Sequence, residues 1–179
     1  MREPAQSNVK QPGIAVIFLL ASLFVLTGFW RGTPSWEKIG QEIDAKFPDV
    51  PSISMEALQR QIGAGTEMLL VDVRSREEYV VSHILHAVHM TSPEDLTVPP
   101  DSFVVCYCSV GYRSAAFVQK ARKLGYTNIV NYKGSIFQWA NAGKPVYRDG
   151  KVVTGVHPYD DYWGQLLKPE LHAGESVKP

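Results

Sequence analysis

The chain's two cysteines stand one residue apart in "FVVCYCSVGYRSAAF", residues 103–117, and Gly111 and Arg113 follow the second at once. A free thiol has a pKa of about 8.5, so only a few per cent is the attacking thiolate at neutral pH. Bringing that pKa to about 6.5 takes roughly 2.7 kcal/mol, whereas a helix N-terminus supplies about 0.3 to 1 and at best about 2. Gly111 lets the loop after Cys108 curl so that successive backbone N–H groups face inward as a nest, and Arg113 adds a full positive charge with planar donors. Together they close the gap, and the same cradle suits an anionic substrate group. Cys108 is the expected nucleophile and Arg113 the expected anion ligand. The plainer alternative is a helix start in which Gly111, Arg113 and Ser114 serve only turn geometry and capping. Cys106 falls within an apolar run, where a free cysteine behaves as a small hydrophobe.

The elements around the pair explain how it is positioned. "FVVCY" is apolar on both faces, as a strand inside a parallel sheet must be. "RSAAFVQKARKLG" reads as the helix that follows, with Lys120, Arg122 and Lys123 in its last turns and Gly125 as its stop. Cys108 then lies at the carboxyl edge of the sheet, where such folds place their ligands. Before this unit come the strand candidate "EMLLVDV", the polar "RSREEYVVSHI" and a short strand candidate, "HAVHM"; after it come strand "NIVNY" and helix "SIFQWANAG". This alternation predicts an α/β domain with a mainly parallel central sheet flanked by helices. "PVYRDGKVV" predicts a small hairpin around Asp149-Gly150. The aromatic "HPYDDYWGQLL" is expected to dock, and the chain beyond Pro169 to fray.

With 179 residues, 45% apolar and 20% charged, the composition is that of one main folded domain. Lys plus Arg equals Asp plus Glu, so no large field draws a phosphate backbone and nucleic acid is not an expected partner. Two cysteines cannot form a disulfide framework, and a Cys-x-Cys bridge would be strained in a strand. Residues 13–30, "GIAVIFLLASLFVLTGFW", carry no charge. As a helix they would extend about 27 Å, close to a hydrocarbon core of about 30 Å, so a single-pass anchor in the lipid bilayer is expected. The run exceeds a signal-peptide core of roughly 7 to 15 residues and has no Ala-x-Ala site. Basic residues flank it on both sides and set no orientation. The expected organisation is a tail at 1–12, this transmembrane anchor at 13–30, an amphipathic helix and linker at 31–52, the main domain at 53–146, and a hairpin with aromatic tail at 147–179. The helix in "TPSWEKIGQEIDAKF" is expected to start at Pro34, to put Trp36, Ile39, Ile43 and Phe47 on one face, and to space the domain from the bilayer. Ser54 is expected to cap a further helix, "MEALQRQI".

"CSVGYRS" resembles the active-site loop of the single-domain rhodaneses. "LLVDVRSREEYVVSHILHAVHM" resembles the same family's Asp-x-Arg, acidic-aromatic and His-Ile-x-x-Ala pattern, and "LGYTNIVNYKGSIFQWANAGKPV" its closing segment. The resemblance runs roughly from Ile53 to Val146. It implies a rhodanese-like fold and a sulfurtransferase in which Cys108 takes a sulfane sulfur from a small anionic donor such as thiosulfate. The resulting persulfide would be stabilised by the backbone N–H groups of Ser109, Val110, Gly111, Tyr112 and Arg113, with Ser114 completing the loop. Cyanide, a thiol or a protein would then accept the sulfur, with no cofactor. Cdc25-type phosphatases of related fold need Cys-x5-Arg; here the spacing is Cys-x4-Arg, which implies the smaller, sulfur-handling pocket. Ser82-His83-Ile84-Leu85-His86-Ala87 and Lys133 depart from the family pattern and are expected away from the nucleophile. A rival from another class is a non-catalytic rhodanese-fold module that docks membrane partners through "HPYDDYWG".

Other residues have plainer readings. His83, His86 and His89 are spaced by three, but a run crossing from a helical turn into a strand should splay its side chains, so no metal site is expected. Asp72 is expected to bond a turn amide, and Arg74 to pair with Glu78 four residues on. Phe137 and Trp139 are expected to pack, and Tyr112 to project from the loop.

Overall fold

In this computed structural model residues 32–173 are described. Helix α1 (Trp36–Lys46) is capped by Ser35, whose hydroxyl accepts the Lys38 amide at 3.2 Å. Pro34 therefore precedes the cap instead of opening the helix as expected. Ile39, Ile43 and Phe47 line one face and are buried in the same apolar core as Leu58, Val105, Ile136 and Phe137. The segment expected to be a spacer is thus a layer of the fold, because an apolar stripe of this width must bury against another element.

Five strands form the central sheet: β1 (Ser52–Ile53), β2 (Leu69–Asp72), β3 (Val88–His89), β4 (Val104–Tyr107) and β5 (Ile129–Tyr132). Their order is β1-β5-β4-β2-β3 and every pairing is parallel. Central β4 is buried along its whole length, which is why its sequence is apolar on both faces. Its side chains alternate between two cores. Val105 and Tyr107 enter the one that contains α1, and Val104 and Cys106 the other, with Val118 and Ala121.

Helices α2 (Met55–Gly63), α3 (Arg76–Val81), α4 (Tyr112–Lys123) and α5 (Ser135–Asn141) alternate with the strands. Ser54 caps α2 as expected. Ser75 and Glu78 form a reciprocal capping box on α3. β6 (Val146–Arg148) and β7 (Lys151–Val153) pair antiparallel across Asp149 and Gly150, both at positive φ, the backbone that a two-residue Asp-Gly turn requires.

The tail docks. Leu166 and Leu167 are buried, and the Asn141 side chain donates to the Leu166 carbonyl at 2.8 Å and accepts the Lys168 amide at 2.9 Å. Past Pro169 the chain does not fray at once as expected: Val156 and His172 form a bridge, with the Val156 amide 2.7 Å from the Leu171 carbonyl. No helix among the described residues is long and apolar enough to cross a membrane; the expected anchor at 13–30 lies outside them.

Candidate active site

The turn from β4 to α4 is built by residues 108–111. Helix α5 grips its outer side: the Ile136 amide donates to the Cys108 carbonyl at 3.1 Å and the Phe137 amide to the Ser109 carbonyl at 3.2 Å. In a planar trans peptide the N–H points opposite to the C=O, so the amides of Ser109 and Val110 are turned away from α5. Gly111 completes the curl at φ +101, and its amide donates to Cys108 Sγ at 3.1 Å. A Cβ at Gly111 would stand 2.2 Å from the Lys133 carbonyl oxygen, so only glycine fits. Lys133, expected away from the nucleophile, backs directly onto this loop, and its ammonium pairs with Asp44 of α1 at 2.6 Å.

Cys108 is buried as part of the second apolar core, yet polar groups reach its sulfur. The Ser114 hydroxyl has Asn131 Oδ1 at 2.7 Å, the Gly111 carbonyl at 3.2 Å and Sγ at 3.6 Å. One proton serves one acceptor at a time, so Asn131 holds it most of the time. Burial by itself pushes the thiol up, but the Arg113 charge, the Ser114 amide and hydroxyl and the Gly111 amide outweigh it, and Cys108 lies below the ordinary thiol value. Cys106 has burial without such partners and is pushed far up.

Arg113 is engaged by protein. Its guanidinium donates to Glu78 Oε2 at 2.7 Å and Oε1 at 2.8 Å, and to the Ser109 hydroxyl at 2.9 Å, while that hydroxyl donates to Glu78 Oε1 at 2.9 Å. Burial would raise the Glu78 carboxyl, yet the Arg113 hydrogen bonds and charge bring it down to about 2. This replaces the expected Arg74–Glu78 pair. Arg74 lies before the cap of α3 and not on the helix, so four-residue spacing does not bring the two together. Arg74 is sealed against Asp72, with Nη2 to Oδ2 at 2.6 Å, and donates to the Ser82 carbonyl at 2.6 Å. Asp72 also accepts the Arg74 amide at 3.1 Å, the turn bond expected of it.

A cavity of about 290 Å³ opens over the sulfur, lined by Cys108, Ser109, Val110, Tyr112 and Arg113 together with Glu42 of α1 and Tyr159 and Trp163 of the tail. Tyr112 packs edge-on against Phe47, their ring centres 5.2 Å apart. The Tyr159 ring lies 4.6 Å from the Arg113 guanidinium carbon.

His83 and His89 both pack against the Tyr79 ring, the latter with ring centres 5.2 Å apart, while His86 lies in the turn between them. His83 stacks on Tyr79 at 4.2 Å, His89 Nε2 sits 2.8 Å from the Arg74 carbonyl, and His86 is exposed at φ +64.

Residues 54–142 match the rhodanese-like domain family. A sulfurtransferase of Allochromatium vinosum is 31% identical over 101 residues, which cover 54% of this chain and 94% of that protein. The chain belongs to the rhodanese-like family. The thiosulfate:glutathione sulfurtransferase of Saccharomyces cerevisiae is 26% identical over 132 residues, 64% of this chain and 90% of that protein. The rhodanese-like domain of an Anabaena protein has the same fold, with a TM-score of 0.51 at 24% identity over 63% of this chain and 89% of that one.

The rhodanese match contains Cys108, its loop and Glu78, but not Glu42, Tyr159 or Trp163. Four participants escaped the sequence reading. Glu78 carries a usable signal, the Ser75-x-x-Glu78 capping box, which fixes its place in the first turn of α3. Asn131 and Ser135 join the site through contacts distant in sequence: Asn131 bonds Ser114, and the Ser135 hydroxyl, which donates locally to the Tyr132 carbonyl at 2.9 Å, accepts the Cys108 amide at 3.1 Å. Glu42 lies outside the domain boundary expected from sequence.

Proposed function

We propose that the chain transfers sulfane sulfur through a persulfide on Cys108. Rhodanese-type sulfur transfer is the chemistry of its family and of the named relatives, and a small anionic donor such as thiosulfate is the finer reading. The observation that carries it is a buried sulfur, below its ordinary thiol pKa, 3.1 Å from the Gly111 amide and open to a cavity. In the first half-reaction the thiolate attacks the outer sulfur of thiosulfate, the Sγ–S bond forms, the donor S–S bond breaks and sulfite leaves with the electron pair. The charge is then on the persulfide, which the loop amides stabilise. In the second half-reaction a thiophilic acceptor takes the outer sulfur and restores the thiolate. Arg113 offers five N–H donors, of which Glu78 and Ser109 occupy three, so donors remain for a sulfonate group. The uncharged stretch 13–30 supports attachment to a bilayer by a single pass, which recovery of the full chain in alkali-washed membranes would test.

The test is thiosulfate-dependent thiocyanate formation. Turnover should vanish in Cys108→Ala and persist in Cys106→Ala, and the mass of the Cys108 peptide should rise by one sulfur after thiosulfate treatment. Arg113→Met should move the pH profile of Cys108 alkylation upward, since the largest group lowering the thiol is gone. Equal low turnover in all variants would favour a docking module over an enzyme.

A further inference from the structure

Ser135, the first residue of α5, is fully buried and has φ +52. Glycine is the ordinary occupant of such backbone, and another residue is held there only where its surroundings over-determine it. Serine brings a hydroxyl that glycine lacks, and both of its hydrogen-bonding roles are taken. It accepts the Cys108 amide at 3.1 Å and donates to the Tyr132 carbonyl at 2.9 Å. The Val104 amide of β4 donates to the Asn128 carbonyl just before β5, and a parallel ladder repeats every second residue, so the same register carries the Cys108 amide toward the Tyr132 carbonyl. The Ser135 hydroxyl is inserted in that last rung. It keeps the rung connected while β4 parts from β5 and turns into the loop.

The inserted hydroxyl completes the fixing of Cys108. The Tyr107 carbonyl, in the same peptide plane as the Cys108 amide, accepts the Val73 amide at 3.0 Å, so that plane is held from the end of β2 on one side and from Ser135 on the other. The next plane is held by the Ile136 amide, 3.1 Å from the Cys108 carbonyl. Two fixed planes determine φ and ψ of the residue between them, and with them the direction of its Cα–Cβ bond. Rotation about that bond is the remaining freedom, and the Gly111 amide, 3.1 Å from Sγ, settles it. Ser135 does not line the cavity, so its effect on the reaction passes through Cys108.

Resting on the sulfur-transfer reading, we propose that Ser135 is a positioning residue for that reaction: its hydroxyl sets the Cys108 peptide so that Sγ meets the Gly111 amide and faces the cavity. The hydroxyl takes no part in the bonds made and broken, and its proton stays directed at the Tyr132 carbonyl. Loss of the hydroxyl frees the Cys108 amide and lets its peptide plane rotate. Sγ then moves off the donors that hold it below the ordinary thiol value.

Ser135→Ala and Ser135→Gly both lack the hydroxyl, but alanine keeps the strained backbone and glycine relieves it, so Ser135→Gly should melt about 5 °C above Ser135→Ala. Persulfide formation is followed in single turnovers with thiosulfate. Its limiting rate should fall about tenfold or more in both variants, as it does when a reacting atom is slightly misplaced, while the half-saturating concentration stays within about threefold of the unmodified protein's. Both variants should also move the pH profile of Cys108 alkylation upward. A limiting rate and an alkylation profile unchanged in Ser135→Gly, or losses confined to Ser135→Ala, would make Ser135 a structural residue and overturn the proposal. If the unmodified protein takes up no sulfur from thiosulfate, sulfur transfer itself falls. The alkylation profiles still decide whether Ser135 places Sγ, so the two failures are distinct.

Discussion

Glu78 does more for the site than its sequence context suggests. Its two oxygens accept the Ser75 amide, the Ser109 hydroxyl and both terminal nitrogens of Arg113, so one carboxylate ties the start of α3 to the loop after Cys108. A carboxyl near pKa 4.3 unfolded and about 2 folded contributes stability that is fully present above about pH 4.5 and is lost as pH falls toward 2. Three kcal/mol is about the upper size of this effect, because Arg113 is a third exposed and solvent screens the pair. Glu78→Gln should therefore cost about 2 kcal/mol at pH 7 and flatten the fall between pH 4.5 and 2, measured by urea denaturation at each pH. A parallel fall in both proteins would remove Glu78 from this role. The residue-scale reading of the sequence singled out Cys108 as the candidate nucleophile because Cys, Gly and Arg at that spacing have few other uses. It assigned Glu78 the wrong partner because a local spacing rule holds only within a helix, and Arg74 precedes one.

At the scale of elements, the cradle is the work of three neighbours that each contribute one constraint. β4 delivers Cys108 to the sheet edge, α5 turns the loop carbonyls outward, and the chain at Lys133 presses against Gly111. Alternating apolar strands and capped helices made the elements legible in sequence, because burial on both faces and side-chain capping leave compositional marks. The close approach of Lys133 left none, since it is made by a backbone atom. Gly111→Ala tests it against an internal control. Gly125 has nearly the same positive φ, +102, but a Cβ there would meet nothing within 4 Å. Gly125→Ala should cost only the backbone strain, about 1 to 2 kcal/mol, and retain turnover. Gly111→Ala should cost about 3 kcal/mol or more, lower the melting temperature by roughly 10 °C and abolish sulfur transfer, because the loop cannot keep both its curl and its contact. Equal losses in the two variants would mean that the Lys133 contact relaxes freely.

Across the whole molecule, the part that carries the family match and the part that completes the site differ in extent. The match ends at residue 142, while the cavity wall needs Glu42 from α1 and Tyr159 and Trp163 from the tail. Both flanks are also structural. Ile39, Ile43 and Phe47 on one side and Leu166 and Leu167 on the other are buried in the common core. Each such side chain contributes about 1.5 to 3 kcal/mol of burial, and ordering the flanks offsets part of it. Domains of this size have a net stability of only about 5 to 15 kcal/mol, so losing five of these side chains is comparable to the whole margin. A fragment limited to 53–146, the extent of the sequence resemblance, should therefore unfold without a cooperative transition or melt at least 20 °C below a 33–173 fragment in calorimetry. If the short fragment instead melts cooperatively within a few degrees of the longer one, α1 and the tail are appendages. The rim they form over Cys108 would then be a separable addition to a self-sufficient rhodanese domain.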